Sequence, residues 1–243
     1  MNPLVTVITP TTGNPLLGRA IDSVLEQTYK PIEYIIVIDG WKNEAAAREI
    51  IANAHRMCHV IVLPFPTGIA GYNGHRIYGA MNFIARGQYI CYLDEDNYYD
   101  KNHIESLVNV LKPEHKWAYS LRKIVDAESN IICNDDCESL GPWTNVLNDN
   151  LVDVGCYMLD KQTALETAPI WYRRARHPDD QPEVDRALYQ TLYSLYGENA
   201  VISNKQYTLN YTAGNTVNSV KPEFFIDGNK KMQELVPGYP WRD

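Results

Sequence analysis

The sequence predicts an α/β fold, with a mostly parallel central sheet flanked by helices and a smaller antiparallel element in the second half. Three observations predict it. Between residues 4 and 111, short continuous apolar runs alternate with stretches of helical periodicity. Two of those runs stop abruptly at acids, at Asp39 and at Asp94-Glu95-Asp96. A glycine-rich loop, with Gly68, Gly71 and Gly74, precedes one of the helices.

The elements follow in order. Leu4–Ile8 is a compact apolar strand, ended by Thr9-Pro10. Asn14-Pro15 opens a helix, since proline suits a first turn, and Leu17, Ala20, Ile21, Val24 and Leu25 give it one apolar face. Lys30-Pro31 breaks it. Ile32–Ile38 is a second strand, Glu44–Arg56 a helix, and His59–Leu63 a third strand stopped by Pro64 and Pro66. The glycine loop leads into a helix over Arg76–Ala85, then a strand over Tyr89–Leu93 and a helix over His103–Leu111. This alternation implies right-handed crossovers and parallel pairing. Further on, Trp117–Val125 and Asn130–Cys133 form a hairpin around Glu128-Ser129. Asp153–Leu159 reads as a strand, Lys161–Thr167 as a helix, residues 171–182 as a polar loop, Glu183–Tyr196 as a helix and Val201–Thr212 as a late strand. Residues 221–243 read as a mobile or wrapping tail. With no internal repeat and no linker, the expectation is a single domain over 1–243, with a ligand-binding half to about residue 97 and a second half over about 98–220.

The chain has 243 residues, of which 45% are hydrophobic, enough for a substantial core. Its net charge of -8 argues against a nucleic-acid partner held through phosphates. No apolar run is long enough to span a bilayer, and no signal peptide is evident, so a cytoplasmic location is expected, with peripheral membrane contact left open. The five cysteines are odd in number; Cys133 and Cys137 lack a second close pair to complete a zinc motif, and thiols in a reducing compartment are expected.

The stretch QYICYLDEDNYY, residues 88–99, carries the chemistry. Acids at the carboxyl end of a buried strand enter the crevice where open α/β sheets bind ligands. Alternation sends Asp94 and Asp96 to one side and Glu95 to the other. Two carboxylates there can hold a hard divalent cation, which could neutralise a diphosphate. The plain alternative is an acidic surface loop. His75 and Arg76 follow the glycine loop at a helix start, where a diphosphate could sit; an ordinary polar helix start is the alternative. Arg173, Arg174, Arg176 and His177 could meet an anionic ligand or remain solvated, and Trp41 could stack on a base or sugar or simply pack.

Four segments in order resemble family 2 glycosyltransferases, nucleotide-sugar-dependent enzymes of the GT-A fold with a Rossmann-like sheet. VTVITPTTGN with AIDSVLEQTY is similar to their first strand and helix. IEYIIVIDG is similar to the second strand and its nucleotide-binding aspartate, ARGQYICYLDEDN to the DxD strand, and EVDRAL to the acidic motif that supplies the base. The resemblance implies a metal-dependent, inverting transfer of one sugar from a UDP- or GDP-sugar to a hydroxyl acceptor, such as a glycan. It implies that Thr9, Pro10, Thr11, Asp39 and Gly40 line the nucleotide pocket, with His75, Arg76, Asp94 and Glu95 completing donor binding. Asp94 and Asp96 would hold Mn²⁺ or Mg²⁺, and Asp185 would be the general base, with Asp180, Asp179 and Glu183 as rivals. The chain departs from the family pattern at Ile38, Asn97 and Val184, where acids are usual. Those departures keep open a catalytically silent sugar-nucleotide or glycan-binding protein. A sugar nucleotidyltransferase is disfavoured by a first loop poor in basic residues, and a dehydrogenase by the missing GxGxxG.

Overall fold

The structure, a computed structural model, describes residues 2–52, 57–173, 184–216 and 219–242. Its strands are β1 (Val5–Thr11), β2 (Ile32–Ile38), β3 (His59–Val62), β4 (Tyr89–Tyr92), β5 (Tyr98–Tyr99), β6 (Trp117–Val125), β7 (Ile131–Asn134), β8 (Tyr157–Asp160) and β9 (Val201–Thr212). Its helices are α1 (Leu17–Leu25), α2 (Glu44–Ile51), α3 (His75–Ile84), α4 (His103–Val110), α5 (Lys161–Thr167), α6 (Val184–Tyr196) and α7 (Pro222–Leu235).

Among the described residues the strands form one sheet in the order β3-β2-β1-β4-β8-β6-β9-β5, with β7 on β6. The first four pair in parallel, as the alternation of strand and helix predicts. β8 then runs antiparallel to β4 and β6, and the β6–β7 hairpin forms where the sequence places it. β1 is buried at every position and β2 at all but its first, the pattern of strands covered on both faces. The apolar stripe of α1 packs inward through Leu17, Ala20, Ile21 and Val24.

Several elements differ from the sequence reading, and the physical reason is plain in three of them. β1 does not stop at Thr9-Pro10 but continues to Thr11. The carbonyl of Thr11 faces β2, where it accepts from the Asp39 amide at 2.8 Å, while that of Ile8 faces β4 and accepts from Leu93 at 3.0 Å. By this alternation the missing N–H of Pro10 falls on the β4 side, beyond the last β4 pair at Ile8–Tyr92, so no ladder bond is lost. Residues Val154–Cys156, expected in a strand, form a 3₁₀ turn capped by the Asp153 carboxylate on the Gly155 amide at 2.9 Å. The tail is not loose: α7 buries Phe225, Gly228 and Met232, and the turn after it buries Trp241. Its apolar positions are too sparse to show as a helical stripe.

Candidate active site

The carboxyl ends of β1, β2 and β4 open onto a cleft of about 400 Å³. It is lined by Pro10, Thr11, Thr12, Asp39, Asn73, Gly74, His75, the acids Asp94, Glu95 and Asp96, and, from the far side, Tyr211, Thr212, Thr216 and Ser219. This is the crevice that parallel sheets leave where neighbouring crossovers diverge.

Asp39 leaves the end of β2 and is almost wholly buried. Its Oδ1 accepts from the Thr67 amide at 2.6 Å and the Thr67 hydroxyl at 2.9 Å; its Oδ2 accepts from the Gly68 amide at 2.9 Å. The carboxylate therefore pins the glycine loop, which is packed too closely for a side chain. A Cβ on Gly68 would lie 2.6 Å from the Asn73 carbonyl oxygen. Gly40, next in sequence, has φ +92°, a conformation that side chains disfavour.

A turn, not the strand pleat, directs the three acids. β4 ends at Tyr92, and the Asn97 amide donates to the Asp94 carbonyl at 3.2 Å. Asp94 turns toward α3, where the Tyr78 hydroxyl donates to its Oδ1 at 2.7 Å. Glu95 turns back to the β1–α1 loop and accepts from the Thr11 and Thr12 hydroxyls and from the amides of Thr12 and Asn14. Asp96 turns to the segment after β9, where Asn215 Nδ2 donates to its Oδ2 at 2.8 Å. Burial, with the repulsion of Asp96 second, pushes the Asp94 carboxyl up to about 8; burial also raises Asp96. Asn97, where an acid is usual, accepts from the Thr212 amide at 2.9 Å and so ties the turn to β9.

The other predicted residues are placed as follows. Pro10 and Thr11 reach the cleft, whereas the Thr9 hydroxyl lies in the core and accepts from Tyr34 at 3.1 Å. His75 begins α3 and faces the cleft; burial lowers its imidazole to about 4, so it is neutral. Arg76 stacks on the Tyr72 ring at 3.6 Å and donates to the Thr67 carbonyl, serving the loop. Asp185, in the first turn of α6, is pushed up to about 6 by burial and then by Asp153, and its charge also bears on Asp94. Asp179, Asp180, Glu183, Arg174, Arg176 and His177 lie outside the described residues. Trp41 does not pack in the core; it is exposed.

Sequence reasoning missed the support around these groups. Tyr78 reads as one more apolar helix position. Asn215 and Thr212 carry no motif. Arg122, buried between Asp135, Glu138 and Asp153, looks in sequence like a strand-edge charge, yet its Nε donates to Asp135 Oδ2 at 2.7 Å and its two Nη groups reach the other two acids. Asp153 thus anchors a buried charge cluster.

Among the described residues no group of three or more His, Cys, Asp or Glu side chains could hold a metal ion unaided. No helix among them is long and apolar enough to cross a membrane.

Comparison with known proteins bears on the family and the fold. An uncharacterized glycosyltransferase of Rickettsia typhi is 36% identical over 113 residues, which is 45% of this chain and 32% of that protein. Glycosyltransferase GlyA of Streptococcus pneumoniae is 33% identical over 42% of this chain and 14% of its own length. The chain thus spans about a third or less of these relatives. Among solved structures, S. aureus TarS 1-349 in complex with UDP-GlcNAc superposes with a TM-score of 0.64 at 14% identity, covering 93% of this chain and 64% of that one. The mannosyltransferase PcManGT of Pyrobaculum calidifontis, in complex with GDP-Man and Mn²⁺, gives 0.60 at 13% identity, covering 100% and 72%. These likenesses are of fold, and the fold is the GT-A type that the sequence implied. The profile of glycosyl transferase family 2 matches residues 6–138, more than half of the sequence and all of the strands that build the acidic cleft wall, and the chain belongs to that family.

Proposed function

We propose that this chain is a divalent-cation-dependent, inverting glycosyltransferase that moves one sugar from a nucleoside diphosphate donor to a hydroxyl acceptor. The observation that carries the reading is the convergence of Asp39, Asp94 and Asp96 on one cleft whose described lining contains no lysine or arginine. A diphosphate entering a cleft this acidic needs a cation between it and the protein. The donor set fits one: two desolvated carboxylates, too few to close a site, leave coordination positions for diphosphate oxygens and water. Bound there, Mn²⁺ or Mg²⁺ would neutralise charge that builds on the leaving diphosphate. The ligands carried by TarS and PcManGT make UDP- and GDP-sugars the first donors to test.

The chain's own residues then divide the work. Asp39, whose Oδ2 accepts from the Gly68 amide alone, offers its one remaining acceptor position to a hydrogen-bond donor of the nucleoside, beside Pro10 and Thr11, with Thr9 and Gly40 shaping the backbone behind them. His75, neutral, donates one hydrogen bond to a phosphate oxygen at the amino terminus of α3. Glu95 and Arg76 hold the flanking loops rather than touch the donor. Asp185 takes the acceptor's hydroxyl proton. A carboxylate raised to about 6 is ionised at neutral pH and is a better base than an ordinary aspartate. Attack from the face opposite the nucleotide inverts the anomeric carbon.

A thermal-shift series of UDP, GDP and their sugar conjugates, with and without Mn²⁺, tests the reading, followed by donor hydrolysis. A ligand at 100 times its Kd stabilises by about 2.7 kcal/mol. For a chain of this size that is a rise of roughly 5–10 °C. The expected result is a metal-dependent rise with one nucleotide class. No shift with any nucleotide, in a folded sample, would sink the proposal; binding without hydrolysis or transfer would favour a silent binding protein.

A further inference from the structure

We propose that Tyr78 is a positioning residue for the cation site: its buried hydroxyl fixes one oxygen of Asp94 so that the other is presented to the cleft. The inference rests on the cation-dependent reading above and goes beyond it by assigning a residue outside the acidic motif.

Among the described residues, Tyr78 Oη is the one hydrogen-bond donor to the Asp94 carboxylate, at 2.7 Å on Oδ1. A carboxylate on a short side chain, at the start of a turn, has two rotatable bonds and little else here to choose its orientation. Tyr78 supplies that choice because its own ring cannot turn. It sits one turn into α3 and is wholly buried. Tyr92 meets it edge-on, with ring centroids 5.1 Å apart, and Trp171 lies 5.2 Å away; Tyr92 and Trp171 are themselves 4.9 Å apart. The three rings form a closed wedge between α3, β4 and the turn after α5. Tyr92 is tied in turn, its hydroxyl donating to Asn82 Oδ1 at 3.0 Å, and Asn82 Nδ2 donates to the Ala164 carbonyl at 2.9 Å. Gly79, beside Tyr78, lets α3 approach this closely, since a Cβ there would lie 2.9 Å from both the Ala168 carbonyl oxygen and Trp171 Cβ. A chain of contacts thus runs from the α5 backbone through three aromatic rings to one oxygen of Asp94.

Tyrosine suits this task better than a charged donor. A hydroxyl orients the Asp94 carboxyl group without bringing a positive charge of its own beside it. A lysine or arginine in its place would satisfy Asp94 and compete with the metal. Groups that orient metal ligands are typically worth about 10–100-fold in metal affinity.

The test is Mn²⁺ binding to the full chain in the presence of UDP or GDP, followed by electron paramagnetic resonance of free Mn²⁺. It compares the native chain with Tyr78→Phe, Asp94→Asn and the double variant, alongside melting temperatures without metal. Tyr78→Phe removes one oxygen and keeps the ring. It is expected to weaken Mn²⁺ binding about tenfold. Because the hydroxyl acts through Asp94, Tyr78→Phe should add no further loss in the Asp94→Asn background. An unchanged Mn²⁺ Kd for Tyr78→Phe, while the native chain binds Mn²⁺, would overturn this inference alone. Equal losses with and without the Asp94 carboxylate would also overturn it. So would a Tyr78→Phe chain that unfolds without metal, since the hydroxyl would then belong to the fold. A native chain that binds no Mn²⁺ would instead remove the cation-dependent reading and this inference with it.

Discussion

Replacing Arg122 by methionine should destabilise this protein more than any substitution in the cleft, and the loss should shrink as the pH falls. The Arg122 side chain is 3% exposed and meets three carboxylates, Asp135, Glu138 and Asp153, that are themselves almost buried. Its guanidinium also lies 4.4 Å from the centre of the Tyr211 ring and 5.4 Å from that of Phe225. Removing one partner of a buried ion pair costs about 3–5 kcal/mol, because the remaining charge is stranded. Here one buried cation serves Asp135 and Asp153 and shares Glu138 with Arg186, 4.0 Å away, which places the loss near the upper end, about 5 kcal/mol. At roughly 2–4 °C per kcal/mol for a chain of this length, the melting temperature should fall by about 10–20 °C at pH 7. The sign of the pH dependence follows from the acids. Burial works to raise the Asp135 carboxyl, but Arg122 and the amides of Cys137 and Ser139 outweigh it and hold it below the ordinary value. In the native chain this group therefore adds stability above the carboxylate range, lost as pH falls through its folded value. Without Arg122 burial prevails, the folded-state values rise, and protonation relieves the stranded charge, so the gap between variant and native should narrow from pH 7 toward pH 4.5. Calorimetric melting of both chains across that range is the assay. A methionine variant melting within about 3 °C of native at pH 7, a loss near 1 kcal/mol, would refute the reasoning.

Three further predictions concern the cleft. Asp96→Ala should abolish sugar transfer while leaving the circular dichroism spectrum and the fold intact; transfer at the native rate would remove Asp96 from the cation site. Asp185→Asn should lower kcat by about 10²–10⁴. The native pH–rate profile should show an acid limb near 6, where the Asp185 carboxylate gains its proton, and rates should fall as pH drops below it. A native profile flat between pH 5 and 7 would argue against Asp185 as base. Gly68→Ala should weaken nucleotide binding severalfold, because its Cβ would fall 2.6 Å from the Asn73 carbonyl oxygen and 3.1 Å from Asp39 Oδ2, and a backbone atom cannot swing aside. Unaltered nucleotide affinity would show that the loop relaxes freely.

What the sequence determined is what depends on neighbours along the chain. Apolar runs of strand length, broken by Pro, Gly and acids, specify β1 to β4, and Ile32–Ile38, Lys161–Thr167 and Val201–Thr212 have the bounds that the sequence predicts. Parallel pairing and the edge at which Asp39 and Asp94–Asp96 meet follow, because helices between strands leave little choice of topology. The sequence could not say where those acids point. A turn after Tyr92 replaces strand alternation, and each side chain takes its direction from a partner remote in the chain: Tyr78 for Asp94, the β1–α1 loop for Glu95, Asn215 for Asp96. Nor could it show that Arg122 is a buried hub, since its three acids lie 13, 16 and 31 residues away and become neighbours only when β6, β7 and the turn at Asp153 pack together. α7 was illegible for a related reason: Phe225, Gly228 and Met232 make a face only against surfaces remote in the chain, with Tyr211 of β9 against Phe225, and Cys137 and Val146 against Gly228. Backbone pattern is local and survives in one dimension; the orientation of a polar group is set by long-range packing, and only the tertiary structure decides it.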